Sequence, residues 1–427
     1  MIPTKCLLYL CLRFILHPLQ LSFFLAKRLL LRQRGVFAGF IIRLAVLATT
    51  LSVAVMILAL AFINGFKHTI REKLFSFWGE MLIVPPGADQ TGVAPADAIP
   101  LDTAMLAGIA REKEVKQVAP FILRPVILQV HGQMEGVQLK GINQDFQFSP
   151  EMDFSGSRIH YPAEGYSQDI VLSRSTAEKL DIAPGDQLLL YFLESGASRP
   201  RARKVTLAGT YHTGMEEVDK SFGLCDLRLL QRLANWEAGE ISGYQVSTRP
   251  GANLAALSQH IDQEYVARPL RAMPVYEVYY GIFSWLQMQD VNALVLLFIV
   301  AIVAVINLSA TLIILLADRA QMVALLKALG ATPRQLRDTF ILLGLLISAT
   351  GIVLGNVLGL GIAWLQQKFG FITLPEETYY MHTAPVRIVA WQVAATSAGA
   401  LLLCLICLWL PTLYIRRIQP AKVLKFE

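Results

Sequence analysis

Four apolar segments, each long enough to cross a membrane, dominate the sequence. The first, residues 44–63, contains no charged residue, and the others lie at 291–317, 340–365 and 388–413. A bilayer core of about 30 Å requires about 20 helical residues, at roughly 1.5 Å of rise per residue. The sequence therefore predicts an α-helical membrane protein with four transmembrane helices.

The charge distribution predicts how these helices are oriented. The overall charge of +6 conceals two populations, because residues 67–289 carry a charge of −5 and the remainder carries +11. The lysines and arginines concentrate in residues 1–39, between the second and third apolar segments, and after the fourth. Loops rich in these residues remain in the cytoplasm. The positive charge flanks membrane spans, so it predicts lipid headgroups rather than nucleic acid as its partner.

More than 220 residues of ordinary soluble character separate the first two apolar segments. Residues 80–84 and 187–192 have the pattern of β-strands, and residues 126–142 are typical of a hairpin that turns near His131 and Gly132. Helical patterns alternate with these strands. This segment is therefore predicted to be a large α+β domain, arranged in two lobes, on the periplasmic side.

The predicted organisation alternates between the two sides of the membrane. It comprises a cytoplasmic N-terminus with an interfacial amphipathic helix (1–39), transmembrane helix 1 (40–65), the periplasmic α+β domain (66–288), transmembrane helix 2 (289–317), a cytoplasmic coupling helix (318–339), transmembrane helix 3 (340–365), a periplasmic loop (366–387), transmembrane helix 4 (388–413) and a cytoplasmic tail (414–427).

Motifs that carry chemistry are missing from the sequence. It has no GxxxxGK[ST] loop for nucleotide phosphates, no HExxH and no GxSxG. Its seven histidines are scattered, and none pairs with another at metal-ligand spacing. We expect a non-catalytic chain that binds no metal and no cofactor of its own.

The segment after the second span has helical periodicity and clear stop signals. Its apolar residues recur at i, i+3, i+4 and i+7: Met322, Leu325, Leu326 and Leu329. Gly330 is predicted to end this helix, and Thr332 is predicted to cap the next one, with Pro333 at its first position. Such a helix can pass a displacement from a cytoplasmic partner into the membrane. An ordinary interfacial loop accounts for the pattern equally well.

Three glycines at four-residue spacing, Gly351, Gly355 and Gly359, lie in the third apolar segment. A ridge of small residues lets another helix approach closely in a membrane. We expect these glycines to serve helix packing.

Several stretches resemble the FtsX-like permeases, and among them the subunits of lipoprotein-releasing (Lol) transporters. The likeness runs from about residue 20 to the end and is carried by the approach to Asn64-Gly65-Phe66, by VLSRSTAEKLDIAPGDQLLLYF (171–192), by LLKALGATPRQL (325–336), by LPEETYYMHTAPVR (374–387) and by WLPTLYIRRIQPAKVLKFE (409–427). The coupling and C-terminal motifs are specific to the superfamily, whereas the Asn-Gly-Phe and Leu-Pro stretches resemble the lipoprotein branch.

The resemblance implies a permease subunit of the inner membrane that extracts lipoproteins from its outer leaflet and passes them to a periplasmic carrier. It implies a separate ABC ATPase dimer, which binds ATP and Mg, and a second permease subunit that is either identical or different. Residues expected to couple to the ATPase are Arg319, Gln321, Met322, Leu325, Leu326, Lys327, Gly330, Ala331 and Thr332. The resemblance also implies a lipoprotein contact near Asn64, Gly65 and Phe66.

Two positions depart from the family pattern. Gln321 stands where the family usually has an acidic residue, and the connection at 194–204 is short and basic where a carrier-recruiting subunit has a long hairpin. An FtsX-like permease that drives periplasmic efflux or activates a cell-wall hydrolase remains an alternative. A membrane-anchored sensor without an ATPase is a second alternative. A secondary transporter is disfavoured, because it would carry more spans and ionisable residues at mid-membrane.

Overall fold

The computed structural model describes residues 36–86, 98–146, 148, 152–192, 201–375, 379 and 381–412. Three predicted features therefore lie wholly or largely outside the described residues: the interfacial helix within residues 1–39, most of the connection at 194–204, and the tail at 414–427.

Helices and strands alternate irregularly between two very long helices. In chain order the elements are α1 (Val36–Trp78), β1 (Met81–Val84), β2 (Ile99–Pro100), α2 (Thr103–Ile109), β3 (Val115–Val130), β4 (Gln133–Ile142), β5 (Asp153–Gly156), β6 (Asp169–Ser173), α3 (Arg174–Lys179), β7 (Gln187–Phe192), β8 (Arg201–His212), α4 (Glu216–Asp219), β9 (Phe222–Asp226), α5 (Leu227–Leu233), β10 (Glu240–Ile241), β11 (Gly243–Thr248), α6 (Leu254–Glu264), β12 (Arg271–Pro274), α7 (Val275–Val278), α8 (Tyr280–Asp318), α9 (Ala320–Ala328), α10 (Pro333–Phe369) and α11 (Ala390–Thr412).

Four helices within the described residues, α1, α8, α10 and α11, are long and apolar enough to cross a membrane. An α+β domain lies between the first two of them in the sequence, which confirms the predicted fold class. The chain forms two compact units. Of the described residues, the helical unit contains those within 36–66, 288–372 and 384–412, and the α+β unit contains those within 67–287 and 373–383.

The helical unit has a core to which every long helix contributes. Ala45 of α1, Leu312 of α8, Phe340 of α10 and Leu408 of α11 are buried together in it. The outer faces of the helices stay apolar and exposed, as expected for surfaces that face lipid. The short helix α9 joins the same core through Val323, which is fully buried.

The α+β unit is built on one ten-stranded sheet. Its strand order is β12-β1-β11-β3-β4-β9-β6-β8-β5, with β7 pairing to both β3 and β8. Most neighbours are antiparallel, whereas β4 pairs with β9, and β6 with β8, in parallel. A separate two-stranded ribbon pairs β10 with β2.

The long strand β3 explains why the domain is continuous instead of dividing into two lobes. Its first half pairs with β11 and its second half pairs with β4, so two groups of strands share one backbone. The predicted hairpin is present: β3 and β4 are joined by His131 and Gly132, both of which have positive φ. The hairpin prediction is confirmed, whereas the prediction of two separate lobes is wrong.

Candidate functional site

Helix α9 has two different faces. Val323 and Ala324 are buried, and Val323 packs into the core of the helical unit. The opposite face is open, with Leu325 53% exposed and Leu329 76% exposed. A 3.6-residue period places residues 323, 324 and 327 on one side and residues 321, 325, 328 and 329 on the other. Helix α9 is therefore fixed by one face and presents two large apolar side chains on the other.

This arrangement corrects the predicted single apolar face. Leu326 packs partly against the core, whereas Leu325 and Leu329 point away from it. The sequence pattern missed Val323 and Ala324, because they are not among the positions 322, 325, 326 and 329 on which the apolar face was drawn. The available signal was that Val323, Ala324 and Lys327 share one side of the helix, whereas the polar Gln321 lies on the other.

The connection from α9 to α10 is a rigid corner. Gly330, with φ of +96°, donates its N–H to the Lys327 carbonyl at 3.1 Å. Ala331 donates to the Leu326 carbonyl at 2.9 Å, and both of these side chains pack on the core. These two bonds and this apolar contact form the Schellman ending of a helix, which satisfies carbonyl groups that the helix leaves open.

A capping box begins α10 immediately afterwards. The Gln335 N–H donates to Thr332 Oγ1 at 3.3 Å, and the Thr332 N–H donates to Gln335 Oε1 at 2.9 Å. Pro333 occupies the first helical turn. The predicted stop at Gly330 and cap at Thr332 are both confirmed. Few backbone torsions remain free in this corner, so α9 and α10 are held as one body.

The charged and polar residues expected for coupling surround this corner. Arg319 is the N-cap of α9 and forms an ion pair with Asp318 at 3.2 Å. Gln321 is exposed on the outer face, beside Leu325. Lys327 is half-buried in the last turn. The structure thus brings the nine expected coupling residues together in α9 and the corner that follows.

The glycine ridge of α10 faces α1. A Cβ added at Gly351 would lie 2.7 Å from Thr49 Cβ, and one added at Gly355 would lie 2.7 Å from Val53 Cβ. Thr50 Oγ1 also donates to the Gly351 carbonyl at 3.3 Å. These distances leave no room for a side chain. The ridge holds α1 and α10 in backbone-to-backbone contact.

The Asn64-Gly65-Phe66 stretch packs against the segment that precedes α11. The space that a Cβ would need at Gly65 is filled by the Pro385 carbonyl, and the Arg387 N–H donates to the Ala61 carbonyl at 2.9 Å. Asn64 Nδ2 donates to Gln392 Oε1. Gly65 and Phe66 are buried, so of these three residues only Asn64 offers a partly open surface to a substrate.

Sequence reasoning also missed a polar contact between α10 and α11. Asn356 of α10 donates from Nδ2 to Ser397 Oγ of α11 at 2.9 Å. Small and polar residues on facing helices often link them in a membrane. The isolated asparagine in an apolar segment was the signal that could have indicated this contact.

The end of α1 forms a joint with the sheet of the α+β unit, and we call residues 77–80 with their contacts the α1 joint. Gly79, with φ of +72°, ends the helix, and a Cβ there would lie 2.7 Å from the Val246 carbonyl oxygen. The Glu80 N–H donates to the same carbonyl at 3.0 Å, and Glu80 Oε2 accepts from the Thr248 N–H at 2.8 Å. Burial raises the pKa of the Glu80 carboxyl. The α1 joint is tightly packed rather than hinged.

Within the described residues no group of three or more His, Cys, Asp or Glu side chains could hold a metal ion.

A cavity of about 470 Å³ lies beside the α1 joint and is lined partly by Phe75, Glu80, Lys116 and Gln245. Its lining mixes charges of both signs with aromatic rings, so no single class of ligand follows from it.

Profiles of two protein families match this chain. The profile described as MacB-like periplasmic core domain matches residues 44–264, which is more than half of the chain. The profile described as FtsX-like permease C-terminal matches residues 294–420. The first covers most of α1 and most of the α+β unit, and the second covers α9, α10, α11 and most of α8.

Relatives match over nearly their whole length. The chain is 22% identical to the lipoprotein-releasing system transmembrane protein LolC of Xylella fastidiosa (strain Temecula1 / ATCC 700964), over 96% of this chain and 100% of the relative. It is 21% identical to the lipoprotein-releasing system transmembrane protein LolE of Haemophilus influenzae (strain ATCC 51907 / DSM 11121 / KW20 / Rd), over 92% and 96%. The crystal structure of the periplasmic region of MacB from Actinobacillus actinomycetemcomitans matches 48% of this chain and 92% of its own, at 13% identity and a TM-score of 0.33.

Proposed function

The chain belongs to the FtsX-like permeases that carry a MacB-like periplasmic core domain, and we propose that it is the membrane subunit of an ATP-driven transporter that releases lipoproteins. In this proposal the complex extracts lipoproteins from the outer leaflet of the inner membrane and passes them to a periplasmic carrier. The observation that carries the proposal is the match to lipoprotein-releasing transmembrane proteins along nearly the entire chain.

Energy has to come from outside the chain. Each buried CH₂ of an acyl chain contributes about 0.8 kcal/mol to membrane anchoring, so spontaneous release of a triacylated protein is negligible. The sequence contains no phosphate-binding loop of the Walker type. A dimer of a separate ABC ATPase therefore binds ATP and Mg in this proposal, and the chain itself is non-catalytic and binds no cofactor.

The outer face of α9 supports an ATPase contact. Leu325 and Leu329 are large exposed side chains on a helix whose other face is buried. The corner at Gly330 and Thr332 passes into α10 without a flexible loop. A push on α9 would reach α10, and the glycine ridge would carry it to α1.

The charge pattern supports an orientation with both termini and α9 in the cytoplasm. The α+β domain then stands on the periplasmic side, where the lipoprotein and its carrier would be met. Relatives named LolC and LolE match at similar identity, so the second permease subunit is either another copy or a different chain. Nucleic acid has no place in this proposal.

Depletion of the protein in cells tests the proposal. We expect lipoproteins destined for the outer membrane to accumulate in the inner membrane, as measured by membrane fractionation and immunoblotting. Restoring the chain should restore their distribution. An unchanged distribution would contradict the proposal, and loss of periplasmic efflux or of cell-wall hydrolase activation would favour the alternative roles.

A further inference from the structure

Lys140 of β4 is fully buried, although lysine is almost never found buried without a partner charge. Its Nζ donates to the Phe77 carbonyl at 2.5 Å and to Gln245 Oε1 at 2.6 Å. Burial alone lowers the pKa of Lys140 well below its usual range, and no described carboxylate offsets this effect. Both acceptors are uncharged, so Lys140 does not serve as half of an ion pair.

Four aromatic rings enclose the amino group. Nζ lies 4.8 Å from the Phe77 ring centroid, 4.6 Å from Trp78, 5.6 Å from Phe121 and 5.4 Å from Phe146. Two of these rings belong to the end of α1, one to β3, and one to the segment after β4. The rings exclude water from the amino group, and their negative faces can accept weak contacts from its N–H groups. Lys140 therefore lies where the end of α1, strand β3 and the segment after β4 meet.

The hydrogen bond from Lys140 to the Phe77 carbonyl attaches strand β4 to the end of α1. This carbonyl lies in the last turn of α1, where carbonyl groups lack helical partners and carry the negative end of the helix dipole. Glu80 already links the end of α1 to β11 through the Val246 carbonyl. Lys140 adds a link to β4, and its bond to Gln245 closes the connection back to β11. Two strands thus hold one helix end.

We propose that Lys140 is a positioning residue that locks the C-terminal end of α1 to strands β4 and β11, so that displacement of α1 moves the sheet instead of bending the chain at Gly79. This inference rests on the proposed function, because it concerns how motion of the membrane helices reaches the α+β domain. An apolar side chain of similar length would fill the same space but make no directional bond.

The variant Lys140→Met tests this role, because it keeps the length of the side chain and removes its donors. Lys179→Met is the matched control: Lys179 is an exposed lysine of α3 whose partner is Glu135. Each variant is reconstituted with the ABC ATPase of the proposed complex in proteoliposomes that contain a fluorescent triacylated lipopeptide. ATP hydrolysis, lipopeptide release and thermal unfolding are then measured.

For Lys140→Met we expect ATP hydrolysis within twofold of the wild type, a melting temperature within a few degrees, and at least fivefold less release per ATP hydrolysed. Lys179→Met should match the wild type in all three. Unchanged release per ATP in Lys140→Met would overturn the positioning role. A wild-type complex that hydrolyses ATP without releasing lipopeptide would count against the proposed function instead.

A second measurement needs no variant and remains decisive if Lys140→Met fails to fold. Hydrogen exchange at the Gly79 and Glu80 amides reports directly on the α1 joint, since both amides are hydrogen-bonded. We expect their protection to persist while the wild-type complex hydrolyses ATP. A tenfold or greater rise in exchange at these amides during turnover would show that the joint opens and would overturn the inference.

Discussion

Leu325 and Leu329 stand out among the individual residues because they are exposed on a helix that is otherwise held against the core. Exposed apolar side chains are common on the surfaces of the long helices, where lipid accounts for them. Helix α9 contains only nine residues and ends at a tight corner next to Arg334 and Arg337. These neighbouring charges place the corner outside the apolar core of the bilayer, so acyl chains do not account for the exposure of the two leucines.

Leu325→Asp should weaken binding of the ATPase by roughly tenfold or more, because burial of one leucine side chain contributes about 1.5–3 kcal/mol. Titration of the purified chain with the proposed ABC ATPase measures this effect. Met134→Asp is the control, since Met134 is 62% exposed at the β3–β4 hairpin and lies outside α9. Equal ATPase affinity for both variants would contradict the contact.

Lys140 also predicts a pH dependence of stability. Its pKa in the folded chain is lowered by burial, whereas an unfolded lysine titrates near about 10.4. Between these two values the unfolded chain binds a proton that the folded chain does not, so the free energy of unfolding rises with pH. Lys140→Met removes this contribution. The groups packed against Lys140 are the Phe77 carbonyl, the Gln245 amide and aromatic rings, none of which titrates in this range.

The melting temperature of the wild type minus that of Lys140→Met should therefore increase as the pH is raised from 7 to 10. Within the window the difference in unfolding free energy grows by at most about 1.4 kcal/mol per pH unit. Thermal unfolding in detergent at several pH values measures the difference, with Lys179→Met as the control for loss of an exposed lysine. A difference that shrinks as the pH rises would reverse the predicted sign.

Among the elements of the helical unit, α10 contacts at least three others: α9, α1 and α11. It begins at the capping box beside α9, packs its glycine ridge on α1 and hydrogen-bonds to α11 through Asn356. A helix held on three sides moves with its neighbours, because packed interfaces resist continuous deformation. The glycines are the part of this arrangement that a substitution can test most sharply.

Gly355→Val should destabilise the packing of α1 on α10, since even its Cβ would lie 2.7 Å from Val53 Cβ. Overpacking of this kind costs about 1–3 kcal/mol. Gly361→Val on the same helix is the control, because a Cβ there meets no heavy atom within 4 Å. The melting temperature and the amount of lipopeptide released per ATP hydrolysed should both fall for Gly355→Val, and neither should fall for Gly361→Val. Equal losses in the two variants would indicate a general intolerance of valine in α10.

The sequence predicted those elements whose signals are local. Turn residues marked the hairpin at His131 and Gly132, and capping residues marked the corner at Gly330 and Thr332. Strand β9 gave no such signal, because Gly223 interrupts a short run that is buried on both faces. Only the packing of Gly223 against Leu139 and Leu172 explains why glycine is required there.

Contacts between elements that are far apart in the chain could not be predicted from the sequence. The glycine spacing indicated a helix interface, but nothing in the sequence identified α1 as the partner. Likewise, Lys140 is separated along the chain by 63 positions from Phe77 and by 105 positions from Gln245, its two hydrogen-bond acceptors. Periodicity describes one element at a time, whereas these sites depend on how several elements meet.

At the scale of the whole molecule, the proposed function requires two ends that work on opposite sides of a membrane. The outward face of α9 has to meet an ATPase in the cytoplasm, and the α+β domain has to meet lipoprotein and carrier outside it. The lysines and arginines of the short segment between the second and third spans, which contains α9, support this arrangement. Coupling through α9 therefore depends on a topology that labelling can test independently of transport.

Single cysteines at Met134 and at Arg334, in a chain whose five native cysteines are replaced by serine, report the two sides directly. Both positions are exposed, so a membrane-impermeant maleimide should reach either thiol from its own side. We expect Met134→Cys to react in intact spheroplasts and Arg334→Cys to react only after permeabilisation. If Arg334→Cys reacts in intact spheroplasts, a cytoplasmic ATPase has no access to Leu325 and Leu329, and motion cannot enter the chain through α9. If both cysteines require permeabilisation, the α+β domain lies on the wrong side to meet a periplasmic carrier, whatever the ATPase does.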